Sequence, residues 1–206
     1  MADAGHWTYR DASTVAAWAQ RLVWLQAALS ALAILFQWMR GFDPKQTGAA
    51  EAAVVMVQFL LYIVTGIVAL PWIYLANANA RALGASDMMV SPGWAVGWFF
   101  VPLMNLVMPY LMMRELWKAS AKPKDWQLEY APPLILLWWV LWVAAGISGL
   151  IAFQLTFQPE DEAAAAADYA YFLSDLCFIP ASLLFASLIG RIQAMQRRTG
   201  PAEVFA

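Results

Sequence analysis

Residues 91–110 read SPGWAVGWFFVPLMNLVMPY. The stretch carries no charge, as a lipid-embedded segment should. Yet it contains Pro92, Pro102, Pro109, Gly93, Gly97 and Asn105. How it is read sets the number of membrane crossings. Each proline removes a backbone donor and disfavours helix in the residue before it. Pro102 and Pro109 therefore cut the run into pieces, Gly93–Val101 and then Asn105 onward into Glu115–Lys118. A helix of about ten residues reaches about 15 Å, half of the ~30 Å hydrocarbon core. Two such arms joined at Pro102–Asn105 describe a re-entrant hairpin. A kinked full span fits the same residues.

Outward from this stretch the chain stays apolar. Charge-free runs cover Leu22–Met39, Ala52–Ala80, Met88–Met113 and Tyr130–Pro159, and Tyr169–Gly190 is interrupted only by Asp175. Each reaches or approaches the ~20 residues a membrane-spanning helix needs. The composition agrees, being 63% hydrophobic and 13% charged, where soluble domains are about half apolar and about a quarter charged. No alternation at period two is sustained, which argues against a β-barrel. The expected fold is an all-α integral membrane protein with four transmembrane helices plus a central Pro-broken hairpin, and the alternative is five transmembrane helices. The domain layout is a polar tail at 1–12, one helical membrane domain at 13–198 with the ambiguous segment at 91–113, and a C-terminal tail at 199–206. No basic leader with a cleavage site is evident, so the first span is expected to act as an uncleaved anchor.

Positive charge orients the spans. Of the twelve Lys and Arg, the hairpin topology places ten inside and only Arg40 and Lys45 outside, whereas five spans place nine inside and three outside. Both put the C-terminus in the cytoplasm.

A resemblance rests on RALG at 81–84, on SPGWAVGW-F-VP--N---PY---REL-KAS from Ser91, and on LLWWVLW at 136–142. The chain resembles a bacterial multi-span membrane family known as a domain of unknown function, number 4328. The resemblance implies a bacterial inner-membrane location and a cytoplasmic N-terminus. It implies no activity.

Few residues carry chemistry. Asn105, with Pro102, Pro109 and Tyr110, sits where a hairpin tip offers backbone groups to an ion, or where Asn105 simply caps the second arm. Arg114 and Lys118 lie one turn apart at a membrane boundary, suited to lipid phosphates or to plain anchoring. Glu115 is a partner for Arg81. Asp161, Asp168 and Asp175 are spaced seven and seven, which on an α-helix drifts only about 20° per step. They share one face, and Asp175 lies within a span. Met104, Met108 and Met112 form an i, i+4, i+8 set that suits Cu(I) or ordinary packing. Trp138, Trp139 and Trp142 form an aromatic ridge. Ala145 and Gly149, and Ser182, Ala186 and Gly190, are small-xxx-small faces that let helices approach closely, within the chain or with a partner.

The single histidine, His6, and the single cysteine, Cys177, leave no disulfide and no CxxC motif. No HExxH, GxSxG or P-loop occurs. No cofactor is expected, and no nucleic-acid partner. The leading expectation is a non-catalytic accessory or scaffold subunit bound to the bilayer and to another membrane protein or a second copy. The alternative is a small transporter or channel using Asn105 and Asp175.

Overall fold

A computed structural model describes residues 7–200. His6 and the outermost parts of both expected tails, 1–6 and 201–206, lie outside the described residues. The described chain is all-α. Its helices are α1 (Ser13–Met39), α2 (Ala49–Ala82), α3 (Pro92–Gly97), α4 (Met108–Ala121), α5 (Leu134–Leu155) and α6 (Asp161–Thr199). Four of them, α1, α2, α5 and α6, are long and apolar enough to cross a bilayer. The protein is a multi-span helical membrane protein.

Local chemistry sets the helix ends. α1 and α2 each stop at a glycine in the left-handed region, Gly41 (φ 62) and Gly84 (φ 106). At each stop the next two backbone N–H groups turn back on the last turn. Gly84 donates to Arg81 O at 3.0 Å and Ala85 to Ala80 O at 3.1 Å, and Gly41 and Phe42 donate to Trp38 O and Gln37 O. This satisfies carbonyls that the helix leaves open, and a side chain at the first turning position would strain it. Pro71 and Pro180 lie inside α2 and α6, where lipid-embedded helices tolerate them.

The chain divides into two compact units. Of the described residues, unit 1 comprises 7–21, 66–136 and 186–200, and unit 2 comprises 22–65 and 137–185. Their interiors differ. Unit 1 holds the large enclosed side chains, among them Trp72, Ile73, Met112, Leu116, Ile135 and Ile189. Apart from Val23 and two tryptophans, unit 2 encloses mainly small and polar residues, such as Ala27, Ser30, Ala33, Gln37, Ala145 and Asp168.

Residues 91–107 form short turns. α3 has 6 residues, about 9 Å of helix. Two 3-10 turns follow, Trp98–Phe100 and Met104–Leu106. The chain reverses at Val101–Leu103, where Leu103 takes a positive φ of 65. The two flanks then meet within unit 1. Met89 N–H donates to the Glu115 carboxylate at 2.5 Å. A segment whose ends touch cannot cross ~30 Å of hydrocarbon. The segment is a hairpin and the five-span alternative fails. Its second arm begins later than the prolines suggest. α4 starts at Met108 with Pro109 in its first turn, where a missing N–H costs nothing.

The hairpin predicts same-side flanks. In a Cys177→Ser background, cysteines at Ser86 and Ala121 should both react with an impermeant thiol reagent from one face of sealed vesicles. Reaction from opposite faces would restore a fifth span.

Candidate functional site

The three aspartates of α6 do share a face, and in unit 2 each meets a partner. Exposed Asp161 pairs with Lys45 Nζ at 2.8 Å. That hydrogen bond and the carboxylate charge raise the Lys45 pKa. Asp168 pairs with Arg40 Nη2, and Arg40 Nε also reaches both oxygens of Glu51 at 3.1 and 3.0 Å. Arg40 lies just past α1. Burial alone would depress its guanidinium pKa, but the hydrogen bonds and charges of Asp168 and Glu51 outweigh burial and raise it. Asp175 accepts from Gln58 Nε2 at 2.9 Å, and the same amide nitrogen lies 3.0 Å from Ser30 Oγ.

These contacts form a ladder with a seven-residue step. Asp161, Asp168 and Asp175 repeat on α6, Glu51 and Gln58 on α2, and Ser30 and Gln37 on α1. Gln37 joins the middle rung through Asp168 O at 3.5 Å. Sequence reasoning found the aspartates and missed Arg40, Glu51, Gln37, Gln58 and Ser30 as their partners. The signal was present as the matching seven-residue spacing on α1 and α2. The middle rung is enclosed, with the Arg40, Glu51 and Asp168 side chains 7–9% exposed.

Unit 1 has its own polar clamp. Arg81 and Glu115 do not pair directly, contrary to expectation. They grip the same backbone from two sides. Arg81 Nη2 donates to Met88 O at 3.2 Å and Val90 O at 2.9 Å. Glu115 accepts from Met89 N at 2.5 Å and Val90 N at 3.4 Å. Burial raises the Glu115 pKa, while the two backbone donors and the Arg81 charge pull against it. Gln196 adds a buried bridge between Ala76 O (2.8 Å) and Ser120 Oγ (2.9 Å).

The hairpin residues separate. Asn105 lies in a 3-10 turn, and the cap position of α4 is Val107 with no side-chain cap bond. Asn105 is therefore not the cap. Pro102 is exposed at the reversal and Pro109 is buried. Arg114 is exposed, with its guanidinium 5.7 Å from the Tyr110 ring centroid. Met104 falls outside α4 and Met112 is fully buried, so the three methionines do not line one helix face. Among the described residues no three His, Cys, Asp or Glu side chains are grouped to hold a metal.

The small-residue faces receive helices of the same chain. In unit 2, Ser174 Oγ donates to Ala145 O at 2.9 Å, and a Cβ at Gly149 would meet Ser174 Oγ at 3.2 Å. In unit 1, Gln20 Nε2 donates to Ala186 O at 2.9 Å, and a Cβ at Gly190 would meet Gln20 Nε2 at 2.8 Å. Ser182 is buried. Trp138 stacks on Phe185 at 5.3 Å and Trp142 on Trp139 at 4.9 Å. Trp138 and Trp139 are buried, so the ridge packs largely inward.

The family described as Domain of unknown function (DUF4328) matches residues 43–194. The chain belongs to this family. The DUF4328 match takes in α2 to α5, the hairpin and all three aspartates of the ladder. No curated protein and no solved structure matches the chain.

Two outcomes follow from the clamps. Arg40→Gln leaves two buried carboxylates without their cation, and should destabilise the protein by about 3–5 kcal/mol. Thermal and chemical unfolding in lipid nanodiscs measure this, and a loss below ~1 kcal/mol would show the rung to be wet. The second outcome concerns pH. With its folded pKa raised above the unfolded ~4.3, Glu115 contributes stability that is complete below that value and is lost as pH rises through the folded pKa. Wild type should lose stability over that window, and Glu115→Gln should lose less. Equal pH profiles would contradict the assignment.

Proposed function

We propose that the protein is a non-catalytic accessory or scaffold subunit of a bacterial inner membrane, engaging a membrane partner through α2. The observation that carries this reading is the exposure of α2. In its most apolar stretch only 6% of residues are buried, against 33%, 22% and 28% for α1, α5 and α6. Phe59, Leu60, Ile63, Val64 and Ile67 all stand open. Meanwhile five acidic side chains are held by internal ties. Asp161, Asp168, Glu51, Asp175 and Glu115 each hold a partner within their own unit. The transporter reading has no comparable support, since Asn105 lies in a short 3-10 turn and Asp175 is tied to Gln58.

Connectivity and charge support one orientation. Four spans place both termini and the α2–α5 connection on one side. Ten of the twelve Lys and Arg lie on that side and only Arg40 and Lys45 on the other, which supports a cytoplasmic N-terminus, hairpin base and C-terminus. The hairpin tip is apolar and open, with Phe100 71% and Leu103 78% exposed, which suits re-entry into the cytoplasmic leaflet.

A photo-crosslinking residue at Phe59 or Ile63 tests the partner reading in intact membranes. One stoichiometric protein adduct, absent when the probe sits at Leu150 of α5, is the expected result. Adducts to lipid alone at α2 would remove the scaffold role.

A further inference from the structure

The middle rung of the ladder is electrically incomplete. It sets one guanidinium against two carboxylates, all enclosed. Arg40 satisfies both Glu51 oxygens and Asp168 Oδ1. Asp168 Oδ2 remains buried with no hydrogen-bond partner, and so does Gln37 Oε1. Gln37 is 5% exposed and Asp168 6%. The Gln37 amide orientation is set by its neighbour, because turning it over would put its oxygen against Asp168 O, where its nitrogen now donates at 3.5 Å. Two oxygen acceptors therefore stand empty beside an excess negative charge. A buried charge without compensation is costly. Monovalent ions at membrane depth are held by this donor chemistry, a carboxylate with neutral amide or carbonyl oxygens. Arg40 Nη1, also buried and unpartnered, can donate to a water that such an ion retains. The surrounding charges do not cancel the excess. Lys45 is taken by Asp161, and Asp43 adds a further negative charge near Arg40.

We propose that Arg40, Glu51, Asp168 and Gln37 form a site for one monovalent cation, held at Asp168 Oδ2 and Gln37 Oε1. The ion is an alkali cation. This goes beyond the accessory role and does not depend on it.

The test uses the full chain in lipid nanodiscs. Unfolding is followed while Na⁺ or K⁺ replaces choline at constant ionic strength and constant pH. An alkali ion at 100 times its Kd should raise the folding equilibrium constant about 100-fold. Asp168→Asn, which balances the rung, should abolish the response. Gln37→Leu should shift its midpoint at least tenfold while leaving the three charges in place. The site is refuted if the stability of wild type ignores both alkali ions. It is equally refuted if every variant that folds responds as wild type does. Should Asp168→Asn not fold, Gln37→Leu decides by the same criterion.

Discussion

A carboxylate on a lipid-embedded helix must find its donor inside the protein, because hydrocarbon offers none. Asp168 finds it in Arg40, and the arrangement of unit 2 follows from that pairing. Sliding α6 by one residue turns its acids about 100° away from their partners. Only the seven-residue step keeps Asp161 at Lys45, Asp168 at Arg40 and Asp175 at Gln58 together. Apolar packing in lipid discriminates weakly between registers, since lipid tails are as apolar as leucine. The polar rungs supply the discrimination that the apolar faces lack.

The two units solve the packing problem differently. Unit 1 fills its interior with volume, using Trp72, Met112, Leu116 and Ile189, as a water-soluble core does. Unit 2 brings backbones close over Ala145 and Gly149 and lets Ser174 bond across the gap. The hairpin belongs to the first kind. Its base is locked by Met112, Met113 and Leu116, all fully buried, and by the grip of Arg81 and Glu115 on residues 88–90. Its tip has no such packing.

Much of this was legible in the residues. Apolar runs of span length marked the crossings, and the spacing of the prolines marked the reversal at Pro102. The seven-residue spacing placed three aspartates on one face. Other features depended on tertiary context. Pro109 reads as a break, yet proline is also at home in a first turn, and only the fold chooses between the two. Asn105 was expected at a cap because asparagine favours caps, but the helix began beyond it. Arg81 and Glu115 were expected to attract each other. The intervening backbone offered both a carbonyl row and an amide pair, which charge alone does not reveal. Gln37 and Gln58 were hidden because a glutamine in an apolar run carries no sign to match with a distant aspartate.

The Arg40–Glu51 pair also bears on how the protein is made. Both residues belong to the first helical hairpin and are bonded through Nε, so that hairpin holds a neutral pair of its own. Asp168 emerges from the ribosome 117 residues after Glu51. The first two spans need not carry a naked guanidinium into lipid, nor await a later helix, because the charge is already matched at their own turn. The last helix then enters a scaffold that is electrically closed, and its aspartate joins through Arg40 Nη2, which the first pair leaves open.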